Sequence, residues 1–299
     1  MDHTPLEMAG QSGGFRYPRV RVKGSGIVIS RVPVWKNTKT LDRWLPELDL
    51  ELVEDPAMAE VALLGASPFD PSHMPKLKTV FRCGVGVDNI PFAECETRGV
   101  EVILPSAATT ELIYEETSSF AVYLILSALY SDVGDISPWQ KRDRHVLSSR
   151  VVLVLGRGNI GRKVIAKLES LCNVMSWDVA HDRQSDLDPL LSAADVLTLH
   201  MPLDDTTSNW LDRSLMEKLK PGAWIVNTAR AGVVHEQDLR SEIERGRLRA
   251  AFDVFWKEPY AGPLTDFDPN MFKATPHVSS HSLEFLESLA DDFRRAVQV

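Results

Sequence analysis

Apolar residues occur in short runs separated by polar turns, and the runs alternate between two periods. Residues 27–29, 50–53, 61–64, 79–82 and 100–104 have the length and composition of strands, with helical spacing around 41–45. From 115 to 130, Phe120, Ala121, Leu124, Ile125, Ala128 and Leu129 recur on one helical stripe, which predicts a long connecting helix. The second half repeats the alternation, with strands at 151–155, 174–177, 195–200, 224–227 and 250–254. Between them, helical patterns run through Val164, Ile165, Leu168 and Leu171 and over 212–219 and 237–245, and an amphipathic helix ends the chain. Strands alternating with helices predict an α/β fold of two Rossmann-like units with parallel sheets and a cleft between them. Residues 1 to about 25 are predicted to be a loosely attached extension, and 131–145 a polar surface connection.

The apolar run at 151–155 leads into Gly156, Gly158 and Gly161, a G-x-G-x-x-G at a strand-to-helix turn. The first glycine allows a tight turn, the second lets backbone N–H groups approach a pyrophosphate, and the third lets the helix pack on the strand. Such a turn also occurs as a packing solution without a ligand, so the residues after it matter. Asp178 ends the next strand, 17 positions beyond Gly161 and near the ~20 expected for a carboxylate that accepts hydrogen bonds from an adenine ribose. A carboxylate there repels a 2′-phosphate, which favours NAD over NADP.

Composition narrows the classes that remain. The 299 residues suffice for two domains, and 44% apolar with 25% charged residues suits a globular protein. A net charge of −9 argues against a nucleic-acid surface, although RYPRVRVK near the N-terminus is locally basic. No uninterrupted apolar run reaches the ~18 residues of a membrane span, and the N-terminus lacks a signal-peptide core, so the expectation is no membrane and a cytoplasmic location. Cys83, Cys95 and Cys172 are widely spaced, which suggests neither a disulfide framework nor a metal site.

Three ionisable residues stand where strands should end: Arg230 after IVNTA, Glu258 after FDVFWK and His277 in ATPH. Carboxyl ends of parallel strands are where α/β sites assemble, so the three could converge. Each alone has a plainer reading, as a surface charge, a turn residue or a structural histidine. The segment CGVGVDNI likewise reads either as backbone N–H groups facing a cleft around Val85 and Gly86 or as a Gly-rich turn capped by Asp88.

The order of these motifs resembles the NAD-dependent D-isomer-specific 2-hydroxyacid dehydrogenases, from CGVGVDNI through LGRGNIG, HMPLDDTT, KPGAWIVNTARAG and AAFDVFWKEP to TPHVSS. The resemblance implies an oxidoreductase moving a hydride between NAD(H) and a small 2-oxo or D-2-hydroxy acid. Arg230 would hold the substrate with backbone N–H groups of Val85 and Gly86, His277 would be the general acid/base, and Glu258 its partner. It implies cofactor contacts from Gly156, Arg157, Gly158, Asn159, Ile160, Gly161 and Asp178. His200, Pro202, Thr207, Thr228, Ala229 and Asp253 would line the rest of the cofactor cleft, with Asp253 near the carboxamide. It further implies a substrate domain of 1–112 completed by 282–299, an NAD-binding domain of 113–281, and a homodimer. NAD-sensing co-regulators of the same fold are the alternative.

Departures from the family pattern fall at the substrate end. Ser279 and His281 follow the catalytic histidine where small residues are usual. GASPF at 65–69 carries no arginine where phosphoglycerate-type members often place one, which argues against a phosphorylated substrate.

Overall fold

The computed structural model describes residues 27–31, 50–53 and 55–297. The first sheet contains β1 (Ile27–Arg31), β2 (Leu50–Val53), β3 (Val61–Leu64), β4 (Thr79–Arg82) and β5 (Glu101–Ile103), ordered β2-β1-β3-β4-β5 and parallel throughout. Helix α1 (Phe92–Thr97) precedes β5, and α2 (Ala107–Leu129) leads away from the sheet to a small antiparallel hairpin, β6 (Gly134–Asp135) and β7 (Gln140–Lys141). The second sheet contains β8 (Val151–Leu155), β9 (Asn173–Trp177), β10 (Val196–Leu199), β11 (Trp224–Asn227), β12 (Arg249–Phe252) and β13 (Phe272–Ala274). Its order is β13-β12-β11-β10-β8-β9, again parallel, with α3 (Asn159–Leu168), α4 (Leu187–Ala193), α5 (Arg213–Met216) and α6 (Glu236–Glu244) between strands. Helix α7 (Leu283–Val297) follows.

Why the strands read as unbroken apolar runs is visible in the packing. In β8, Leu153 and Leu155 face one buried cluster while Val152 and Val154 face another, so both faces are covered. Leucines of α4, α5 and α6 cover the first face, and Ala121, Leu124, Ile125 and Ala128 of α2 with Val164 and Leu168 of α3 cover the second. In the first sheet, Val61, Leu63 and Phe81 meet Ile113 of α2 and Phe285, Leu289 and Phe293 of α7. The rings of Phe81 and Phe293 sit edge to face at 5.1 Å. Helix α7 thus returns to the first sheet, where buried Asp292 accepts from Ser106 N (2.8 Å) and Thr109 Oγ1 (2.6 Å).

Strand order reverses between β8 and β10, and the crevice past their carboxyl ends is the usual ligand position in such sheets. The loops after β3 and β4 of the first sheet face the same crevice.

Several boundaries differ from the sequence pattern. Helix α2 starts at Ala107 rather than 115, because the Ser106 hydroxyl accepts from Thr109 N and caps it. The helix expected over 212–219 narrows to α5, since Lys218 and Leu219 close tighter turns onto Leu215 and Met216. The polar connection at 131–145 holds the hairpin, and α1, α4 and β13 had no clear periodic signal. The helix expected at 41–45 and the extension at 1–25 lie outside the described residues. Helix α2 has the length and apolar content of a membrane span, but here its sides pack on α3, α7 and the second sheet.

Candidate active site

Carboxyl ends of strands from both sheets enclose a cavity of about 390 Å3. The first sheet contributes Arg82, Gly84, Val85, Gly86 and Asp88, and the second contributes His200, Pro202, Thr228, Ala229, Arg230 and His277, with Ile160 from α3.

His277 and Glu258 form one pair. His277 Nδ1 lies 2.8 Å from Glu258 Oε2, and Glu258 Oε1 accepts from Phe255 N at 3.0 Å, so the carboxylate is held from behind. With Nδ1–H given to the carboxylate, Nε2 is the nitrogen left to exchange a proton. His277 has φ 52, a left-handed backbone rare for a side-chain-bearing residue. Asp253 explains how it is held. Its fully buried carboxylate accepts from Thr275 Oγ1 (2.6 Å), Val278 N (2.9 Å) and Ser279 N (2.8 Å), bracketing His277 on both sides.

Arg230 bridges the two sheets. Its Nε donates to Asp88 Oδ1 at 3.0 Å, its Nη2 lies 2.9 Å from the same oxygen, and its Nη1 donates to Ala229 O at 2.8 Å. Asn227, buried at the end of β11, clamps this turn by donating to Arg230 O (3.0 Å) and accepting from Ala229 N (2.9 Å). Burial pushes the Asp88 pKa up, but the hydrogen bond and positive charge of Arg230 outweigh it and hold the carboxyl below its ordinary value. The guanidinium points its Nη2 end at Gly86: a Cβ there would meet Arg230 Nη2 at 1.4 Å and Cζ at 2.7 Å. Arg82, only 4% exposed, secures the same loop from beneath by donating to the carbonyls of Leu64, Gly65 and Gly86. Burial, and then repulsion from Arg230, pushes its pKa down to about 10.

The glycine turn has the shape a dinucleotide needs. Gly156 has φ +97 and a Cβ there would meet His200 O at 2.5 Å, while a Cβ on Gly161 would meet Gly156 O. Nothing lies within 4 Å of a Cβ on Gly158, and the first turn of α3 has no side-chain cap, so its N–H groups open onto free space. The Thr228 hydroxyl, at the cavity wall, is buried without a hydrogen-bond partner, as expected of a group that a ligand would satisfy. Asp178 accepts from Arg157 N (2.6 Å) and Ala180 N (3.0 Å), which fixes its carboxylate beside the turn. These residues fit NAD.

The cavity brings together Val85, Gly86, Ile160, His200, Pro202, Thr228, Ala229, Arg230, His277 and Ser279. His200 pairs with Thr198 through Nε2 at 2.9 Å, and although its edge reaches the cleft, the enclosing protein pushes its pKa down to about 4. Glu258 reaches His277 from an adjoining cavity. Arg157 pairs its guanidinium with Asp182 at 2.8 Å. Thr207 and Asp253 stand apart: both are fully buried, Thr207 donating to Pro202 O (2.7 Å) and accepting from Asp204 N (2.9 Å). Asp88 and Asn227 were not foreseen as site residues, and Asp88 had been legible only as a turn cap in CGVGVDNI.

Comparison with known proteins gives the family and the fold. Residues 131–279 match the family model described as D-isomer specific 2-hydroxyacid dehydrogenase, NAD binding domain, and residues 70–117 match the catalytic domain of the same family. The chain is 31% identical over 273 residues to a D-3-phosphoglycerate dehydrogenase of Mycobacterium leprae, covering 85% of this chain but 49% of that protein, so it spans about half that relative's length. It is 29% identical to a glycerate dehydrogenase of Methylorubrum extorquens, covering 83% of each. Among solved structures, D-lactate dehydrogenase of Aquifex aeolicus, complexed with NAD and lactic acid, superposes with a TM-score of 0.73 at 22% identity, over 91% of this chain and 94% of that one. With both family models matched in chain order, this chain belongs to the D-isomer-specific 2-hydroxyacid dehydrogenases and carries their NAD-binding domain.

Proposed function

We propose that the chain interconverts a small 2-oxo acid and its D-2-hydroxy acid with NAD(H). One observation carries the reading: a histidine oriented by its carboxylate partner and a fixed arginine meet in a single cleft that also reaches Ile160, in the first turn of the helix opened by the glycine turn. When bound, NAD(H) supplies or accepts the hydride. Arg230 offers its free N–H groups to the substrate carboxylate and carbonyl oxygen, and the backbone N–H groups of Val85 and Gly86 add donors to the carboxylate. In reduction His277 gives its Nε2 proton to the carbonyl oxygen, and in oxidation it takes the hydroxyl proton. Glu258 keeps the imidazole in register throughout. Gly156, Arg157, Gly158, Asn159, Ile160 and Gly161 would receive the pyrophosphate, Asp178 the adenine ribose, and His200, Pro202, Thr228 and Ala229 the remainder of the cofactor. Thr207 and Asp253 would act from behind, holding the loops that carry Pro202 and His277.

The test is NADH oxidation across a panel of 2-oxo acids. His277→Ala should lower kcat by about 10²-fold or more while NADH fluorescence titration is unchanged. Turnover unaffected by His277→Ala would overturn the assignment, and NADH binding with no turnover of any oxo acid would favour a regulatory protein. We also propose that 1–112 with 282–299 form the substrate domain, 113–281 the cofactor domain, and that the working protein is a cytoplasmic homodimer. Exposed Val133, Ile136, Trp139 and Val146 around the hairpin support a second copy as the partner, which light scattering checks.

A further inference from the structure

Beside the catalytic cleft lies a second cavity of about 910 Å3, and the two share Ala66, Asp88, Leu203, Arg230 and His277. The cofactor-side residues Ile160, His200, Pro202 and Thr228 line only the first. The second extends past Glu258 and His277, between the 66–69 loop of the first sheet and the 254–258 loop of the second. Its walls carry Phe69, Phe255 and Trp256.

These walls are held in place. Phe255 stacks on Tyr260 at 4.8 Å, Trp256 stacks on Phe252 at 5.8 Å, and Trp256 Nε1 donates to Val234 O at 2.9 Å. On the facing side the Asn89 amide donates to Gly65 O (3.0 Å) and Ser67 O (2.6 Å), pinning the loop that ends in Phe69. The charges along the cavity are largely committed, Arg230 to Asp88 and His277 to Glu258. Exposed Lys257 is the lining cation left without a carboxylate partner among the described residues.

A 2-oxo acid has three groups at its reacting end. With the carboxylate and carbonyl oxygen directed to Arg230, Gly86 and His277, and one face of the carbonyl carbon turned to the cofactor side, its remaining substituent has the second cavity to enter. The geometry points to a substrate with a bulky apolar substituent, aromatic or branched aliphatic, received by Phe69, Phe255 and Trp256 in preference to a methyl or a phosphomethyl group. This inference rests on the proposed dehydrogenase reading and names the substrate class of the same site. Apolar surface buried against fixed aromatic walls favours the larger substrate, by about 10-fold or more in kcat/KM.

The purified chain, with NADH, would be assayed on pyruvate, 3-phosphohydroxypyruvate, 4-methyl-2-oxopentanoate and phenylpyruvate. The expected result is a kcat/KM at least about 10-fold higher for one of the last two than for pyruvate or 3-phosphohydroxypyruvate. Ser67→Trp, which fills the cavity from its rim, should collapse that ratio towards one, and Phe69→Ala, which removes a wall, should lower it if the tryptophan variant does not fold. Turnover of pyruvate or 3-phosphohydroxypyruvate with the bulkier acids rejected overturns this inference alone, as does a preference that neither variant moves. No turnover of any oxo acid overturns the dehydrogenase reading, and this inference with it.

Discussion

Gly86→Ala separates the chemistry of this cleft from its stability. The new Cβ would sit 1.4 Å from Arg230 Nη2 and 2.7 Å from Cζ. An ordinary contact needs roughly 3.5 Å, so the guanidinium must retreat by about 2 Å. What it meets is the far end of a long side chain, 25% exposed, and Gly86 has no positive φ to lose. The fold should therefore yield by less than about 1 kcal/mol, as at a surface substitution. The retreat nevertheless breaks the two contacts with Asp88, at 2.9 and 3.0 Å, that fix which edge of Arg230 faces the cleft. A misplacement of 1 Å costs about 10²-fold in rate, so kcat/KM should fall by at least about 10²-fold. Steady-state kinetics on an accepted 2-oxo acid, thermal unfolding and NADH fluorescence titration would be run on the same preparation. The reasoning is refuted if kcat/KM stays within about threefold of the parent, or if NADH binding is lost along with turnover.

Asp253→Asn replaces two acceptors with one, although three protein donors converge there. Each buried donor left unpaired costs roughly 1–3 kcal/mol, which urea unfolding would read, and kcat should fall while the KM for NADH holds because the His277 backbone loses its support. Burial pushes the folded pKa of His200 down to about 4 from its ordinary 6.5. The unfolded ring therefore takes up a proton that the folded ring refuses, and stability present above pH 6.5 should be lost as pH falls towards about 4. Urea midpoints at pH 7 and 5 should differ less in His200→Gln than in the parent. Asp292 is raised by burial but lowered further by hydrogen bonds from Thr109, Ser106 and Arg295, so its folded pKa lies below the ordinary 3.8. The docking of α7 that it contributes should be complete above that value and weaken in stronger acid, whereas Asp292→Ala should weaken it at neutral pH as well, as read by hydrogen exchange along α7.

The glycine turn, Asp178 and the alternation of strands and helices were legible because each is written in local spacing. Periodicity also located the carboxyl ends of strands, and so drew attention to Arg230 and His277. Asp88 escaped as a partner because it meets Arg230 across 142 positions, and nothing local marks that encounter. Asp253 was read through the family pattern as a cofactor neighbour, whereas its oxygens serve three donors of the His277 loop. Asn227 ends an apolar strand and works through backbone atoms of its own turn, a bond pattern without period. The short elements α1 and β13 hold too few residues to set a period, and tertiary pairing makes them.

Helix α2 belongs to both halves of the molecule: Ile113 packs with the first sheet, and Ala121 to Ala128 pack with the second. Between those stretches the hydroxyls of Ser118 (2.8 Å) and Ser119 (3.0 Å) both donate back to Glu115 O, an arrangement that bends helices. The two sheets therefore share one beam with its softest point at mid-span, level with Thr117 on the cleft wall. A widening or narrowing of the gap between Arg230 and Gly86 would load that point, together with the 275–282 connection by which the chain returns to the first sheet. Amide exchange at 118–122 should consequently slow when cofactor and substrate draw the halves together, and exchange indifferent to both ligands would place the pivot elsewhere.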